Sequence, residues 1–282
     1  MTTTIRPVTP EAQLPGGGRG RSYAIMVNGR RVGGLNVSLY AGSAPRVGEI
    51  SHLTVAPSDR RRGRATVAAL AAEEVLRSWG CARITVNVPD GPDEEAALGL
   101  ARMLGYTLRA RNMRKELPDT PPALPPGSTG RPLRPEEFGD WVAASEAGYA
   151  AEQVAGGLTP EQGRAKARAD LTAALPHGLD TPDTALRRLE AGGAGVGSLW
   201  VCTRVVEDPD QAPSAWVFDV LVDEPHRGRG HGRTLMLLAE RECLARGVRR
   251  LGLNVFADNT PANALYRSLG YRTFRHVLHK QL

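Results

Sequence analysis

The chain has 282 residues, 41% of them apolar, and a formal net charge of +6, which is room for two ordinary domains with cores of their own. No apolar run approaches the ~18 residues of a membrane span, and Met1 to Arg6 show no charged region leading into an apolar stretch, so neither a span nor a signal peptide is expected. The basic balance invites a nucleic-acid partner, but only Lys115, Lys166 and Lys280 are lysines and 5% of residues are aromatic, a poor match to a basic face with stacking rings. Cys81, Cys202 and Cys243 are too scattered for a disulfide framework or a metal cluster, so free thiols, no metal and a cytoplasmic location are expected.

In chain order, a strand is predicted near Thr4 to Val8, followed by the glycine-rich stretch Gln13 to Arg21. A hairpin of Tyr23 to Val27 and Arg31 to Tyr40 turns at Asn28-Gly29, the pair that type I′ turns prefer. Five prolines between Pro118 and Pro126 break any helix or central strand, so 118–130 reads as a linker between domains 1–117 and 131–282. Beyond it come a short strand at Arg131 to Leu133 and a helix from about Pro135 to Val154, with proline near its start. Thr159-Pro160-Glu161-Gln162 looks like a capped start for a second helix running to about Ala174. Strands near Ala185 to Leu189, Val196 to Val206 and Trp216 to Val222 follow. A helix over Gly232 to Ala245, a strand over Leu251 to Phe256, a short helix over Pro261 to Leu269 and a final strand complete an α+β pattern.

The two halves resemble each other. Gly80 to Val88 matches Gly247 to Val255, Leu100 to Tyr106 matches Leu265 to Tyr271, and Arg60-x-x-Gly63-x-Ala65 matches Arg227-x-x-Gly230-x-Gly232. Both halves end on Lys-x-Leu, at Lys115 and Lys280. Matches in one order at nearly constant offset predict tandem copies of one fold. The first copy has no room for the two helices that open the second.

The residues from Trp216 to Arg233 form a buried strand, then an arginine- and glycine-rich turn, then an amphipathic helix. Glycines let backbone N–H groups approach a ligand, and the helix start adds positive potential, so this reads as a pyrophosphate cradle. A dinucleotide loop fits worse, because Arg233 stands where a third glycine should be. Arg227-x-x-Gly230-x-Gly232 after a strand, with Asn259 to Tyr271 downstream, resembles the acetyl-CoA signature and last block of the GCN5-related N-acetyltransferase (GNAT) superfamily. The resemblance implies two tandem GNAT-type acyl-CoA N-acyltransferase domains, each a mixed, mainly antiparallel splayed sheet flanked by helices. It implies acetyl-CoA as donor, with pantetheine between the Trp216 and Leu251 strands and contacts from Leu221 and Val222. It implies pyrophosphate on Arg227, Gly228, Arg229, Gly230, His231, Gly232, Arg233 and Thr234, with Asn259, Ala262 and Tyr266 completing the donor site.

An attacking amine must lose a proton, and Asp219 on the Trp216 strand is the candidate base; the alternative is a solvent-facing or turn-forming carboxylate. Tyr266 sits where the family often places a tyrosine acid for the leaving thiolate; otherwise it is a core tyrosine. Asn259 either holds pantetheine or caps the short helix. Arg60, Arg61, Arg62, Gly63, Arg64 and Ala65 form a candidate second cofactor site. There, however, Ala101 replaces the tyrosine, Glu94 replaces Asn259 and His52 replaces Asp219, so the first copy is expected to be degenerate. Glu146, Tyr149 and Gln153 share one helix face and are the candidate acceptor wall, unless that face is merely solvated. The acceptor expected is an amine on a small molecule or peptide, served by a monomer or homodimer without nucleic acid or membrane. A non-catalytic acetyl-CoA sensor or scaffold is the alternative.

Overall fold

The computed structural model describes residues 2–14, 17–40, 46–208 and 211–282. Pro15 and Gly16 of the glycine-rich stretch lie outside the described residues. The chain divides into two compact units. The first holds Met1–Ala110 together with Arg275–Leu282, and the second holds Arg111–Phe274.

The first unit contains β1 (Thr3–Pro7), β2 (Ala12–Leu14), β3 (Gly18–Val27), β4 (Arg30–Leu39), β5 (Val47–Val55), α1 (Arg64–Ser78), β6 (Arg83–Pro89), α2 (Glu94–Met103) and the start of β7 (Thr107–Glu116). Its last strand is the end of β13 (Arg272–Gln281), whose Arg275–Gln281 runs antiparallel to β6. Asn28 and Gly29 take φ values of 48° and 83°, so the β3–β4 turn has the left-handed pair expected of that dipeptide. Among the described residues of this unit neither opening helix is present; β2 lies in that stretch and folds back on β3.

The second unit runs β8 (Ser128–Pro132), α3 (Pro135–Ala155), α4 (Pro160–Ala174), β9 (Thr184–Ala191), β10 (Ala194–Asp208), β11 (Gln211–Val222), α5 (His231–Ala245), β12 (Arg250–Phe256) and α6 (Thr260–Ser268). Strand order is β8-β9-β10-β11-β12-β7. The proline-rich stretch gives way to β8 at Ser128, and Arg241 donates to the Pro122 carbonyl. Thr159 and Gln162 close the capping box reciprocally at 3.2 and 3.0 Å, which fixes the start of α4.

The β1–β3, β3–β4, β4–β5, β6–β13, β8–β9, β9–β10 and β10–β11 pairings are antiparallel, whereas β5 pairs parallel with β6 and β11 with β12. Each parallel pairing is short: Val47–Ile50 against Arg83–Val86, and Ala215–Val217 against Leu251–Leu253. Beyond those residues the strands part, leaving a wedge with backbone on either side. The core of the second unit gathers Leu199, Leu235, Met236, Leu251 and Leu253 from the sheet and α5, and it takes in Met113 and Leu117.

Candidate active site

The wedge opens where β11 bulges. Trp200 faces Asp219 and Val201 faces Val217, so Phe218 is an extra residue with no partner in the register. The bulge ends the β11–β12 pairing and turns Asp219 toward α3. There the Ser145 hydroxyl donates to Asp219 Oδ2 at 3.1 Å. Burial raises the pKa of Asp219 above the usual carboxylate value, opposed by the Ser145 and backbone hydrogen bonds. A half-buried carboxylate raised in this way takes up protons more readily than one in water.

Tyr266 lies on α6, 9% exposed. Burial, then the nearby charges of Asp219 and Glu152, push its pKa up to about 12. It therefore keeps its proton at neutral pH, as a group that must give one up requires. Asn259 caps α6, its Oδ1 accepting from the Ala262 amide at 3.1 Å, so of its two readings the cap is the one realised. Buried Asn263 ties the same turn down, donating to the carbonyls of Phe256 and Asn259, each at 2.8 Å.

Between β11 and α5, Gly228 and Gly230 take φ values of 76° and 85°. Only glycine enters that region without strain, and Gly230 is the residue before the helix. Arg227 Nε anchors the loop to the Val222 carbonyl at 3.2 Å. The amides of Arg233 and Thr234 turn back onto the Gly230 carbonyl, while His231 and Gly232 supply first-turn donors that a helix cannot satisfy internally. A Cβ on Gly232 would meet Leu265 Cδ2 at 3.2 Å, so α5 and α6 approach closely here. The loop thus fits an anionic phosphate ligand. The first unit repeats it: Arg60 Nε bonds the Val55 carbonyl at 3.0 Å and Gly63 has φ 71° before α1. Two arginines there are engaged elsewhere, Arg60 with Asp93 and Arg64 with Thr3 Oγ1, both at 2.9 Å, and Arg61 itself sits at φ 58°.

Two of the acceptor-wall candidates on α3 pair with α4. Tyr149 donates to Asp170 on α4 at 2.9 Å, and Glu146 pairs with Arg168 at 3.8 Å. The α3 residues that act on the Asp219–Tyr266 pair are Ser145 and Glu152, seven apart and hence on one face. The helical period pointed to α3, but nothing in the sequence said which of its faces meets the sheet. A groove of about 320 Å³ lies beside them, lined by Glu136, Asp140, Trp141, Ser198, Leu221 and Asp223 among others. Its one arginine, Arg188, is held by Asp223 at 2.5 Å.

The sequence also missed two buried carboxylates. Glu240 on α5 is 1% exposed and takes Lys115 Nζ at 2.7 Å and the Tyr271 hydroxyl at 3.3 Å. In the first unit, Glu73 on α1 is 3% exposed and takes Lys280 Nζ at 2.7 Å. The matched Lys-x-Leu ends were the signal for this pair.

The Acetyltransferase (GNAT) family model matches residues 5–106 and 184–271. A mycothiol acetyltransferase of Saccharomonospora viridis is 30% identical over 96% of this chain and 88% of its own length. The uncharacterized N-acetyltransferase YycN of Bacillus subtilis is 33% identical over 54% of this chain and 96% of its own. A crystal structure of a GCN5-related N-acetyltransferase from Sphaerobacter thermophilus superposes with a TM-score of 0.57 at 22% identity, covering 92% of this chain and 80% of that one.

Proposed function

The chain belongs to the GNAT family of acetyltransferases, carries two copies of its domain and is an N-acetyltransferase, and from that premise we propose that its second unit transfers the acetyl group of acetyl-CoA to the primary amine of a small molecule. What supports the reading is Asp219, its pKa raised by burial, close enough for its charge to raise that of Tyr266, with α6 packed at Gly232 against the start of α5.

Acetyl-CoA supplies the thioester. The amides from Gly228 to Gly232 hold its pyrophosphate, and the edge of β11 that faces β12 at Leu221 and Val222 holds its pantetheine. Asp219 takes the proton of the amine as nitrogen attacks, with Ser145 fixing its carboxylate. Tyr266 gives its hydroxyl proton to the departing sulfur. Such acid–base help typically supplies ~10²–10⁴-fold. A small acceptor is favoured over a peptide by the small molecule named in the relative matched over 96% of this chain.

The first unit, by the same reading, supports the second and performs no transfer. Its loop retains the geometry of a cofactor site at Arg60 to Ala65, but Ala101 and His52 stand where Tyr266 and Asp219 do the chemistry. The test is thiol release from acetyl-CoA with a panel of primary amines. Amine-dependent release by the wild type, reduced at least ~10²-fold in Tyr266→Phe at unchanged acetyl-CoA affinity, is expected. Equal turnover by the two would overturn the role of Tyr266.

A further inference from the structure

Phe218 has no role in the chemistry above, yet its placement is unusual. On a regular strand, neighbours point to opposite faces, so Phe218 would lie across the sheet from Asp219. The bulge brings it round: its ring stacks on that of Trp200, the cross-strand neighbour of Asp219, with centroids 4.7 Å apart and planes 24° from parallel. Trp200 in turn meets Trp141 of α3 edge-on at 5.7 Å, and Trp141 packs against Phe138 at 6.0 Å. Three of these four rings are buried or half-buried, whereas Phe218, at the end of the row, is 49% exposed. A large apolar ring held rigidly at that exposure beside a proposed base is a contact surface.

Two further observations bear on what it contacts. The Trp200 indole nitrogen is buried and has no hydrogen-bond partner among the described residues, so this aromatic stack is not explained by internal bonding. The groove that Trp141 also lines carries the carboxylates of Glu136 and Asp140, while its Arg188 and Asp223 pair with each other.

We propose that Phe218, backed by Trp200, determines acceptor specificity: the preferred acceptor is a cationic primary amine borne on a ring that stacks on Phe218, with no carboxylate beside the amine. This rests on the reading of the second unit as the site of acetyl transfer. The ring face is aromatic or alicyclic, and the acidic groove repels an amino acid while drawing in an ammonium group.

The test compares 2-phenylethylamine, 2-cyclohexylethylamine, n-octylamine of the same carbon count, and phenylalanine, which is phenylethylamine with a carboxylate added. Dissociation constants are measured by calorimetry without donor, and kcat/KM with acetyl-CoA, for wild type, Phe218→Ala and Phe218→Tyr. The wild type should bind a ring-bearing amine ~3- to 10-fold more tightly than the linear one, and phenylalanine at least ~10-fold more weakly than phenylethylamine. Phe218→Ala should bring the ring-to-linear ratio close to one, and Phe218→Tyr should restore it. The two ring amines separate an aromatic from an alicyclic preference. A ratio unchanged in Phe218→Ala, or phenylalanine preferred over phenylethylamine, overturns the proposal. The expected order of binding with no acetylation of any amine supports the role of Phe218 while overturning the acetyl-transfer reading.

Discussion

At Asp219 the demands of folding and chemistry oppose each other. Burial raises its pKa in the folded state above the unfolded value, so ionising it works against the fold. That penalty is absent below the ordinary carboxylate value of about 4 and grows as pH rises through the folded-state value. Asp219→Asn keeps an oxygen to accept from Ser145 but cannot ionise. It should therefore melt at or above the wild-type temperature at neutral pH, with the difference vanishing in acid, while amine-dependent turnover falls by ~10² or more. Calorimetry across pH beside a rate assay checks both limbs; a variant that loses stability and activity together would make Asp219 a structural residue.

Among the secondary-structure elements, those set by local chemistry were readable in advance. The Asn28-Gly29 turn, the Thr159–Gln162 capping box and the proline-led α3 follow from a few adjacent residues. The loop at Arg227 to Gly232 was readable for the same reason, since its two left-handed glycines are needed by any sequence that makes that turn. What the sequence hid depends on register. The bulge at Phe218 moves one ring across the sheet, and no residue near it announces the shift. Likewise, α3 is amphipathic in the weak way that leaves its inward face undecided, so Ser145 and Glu152 emerged only once the helix was seated against β11. Capping gives a direct check at this scale: Thr159→Ala removes the bond to the Gln162 amide and should cost ~1 kcal/mol in denaturant unfolding. No measurable change would mean that α4 is held by α3 alone.

For the chain as a whole, the compact units and the repeats do not share boundaries. The strand that closes the first unit ends the chain, and residues just before the proline-rich stretch belong to the second unit. Each unit buries a glutamate on its phosphate-loop helix, and each glutamate is met by the lysine that ends the other repeat: Glu73 by Lys280, Glu240 by Lys115. Removing one member strands a buried charge, so Lys115→Met should lower stability by ~3–5 kcal/mol, and Lys115→Met with Glu240→Gln should recover much of it. A single variant as stable as wild type would show that Lys115 is not what stabilises the buried Glu240. By the same logic, residues 131–282 expressed alone lack the lysine that Glu240 needs and should be far less soluble than the full chain.

The central claim is that acetyl transfer runs at the loop of the second unit and not at its copy in the first. Gly230→Glu and Gly63→Glu place the same charge and the same left-handed strain at equivalent points, φ 85° and 71°, so each serves as the folding control for the other. The measurement is amine-dependent thiol release from acetyl-CoA by the two full-length variants. The account predicts that Gly230→Glu abolishes it and that Gly63→Glu retains most of it; loss in Gly63→Glu with retention in Gly230→Glu would contradict it.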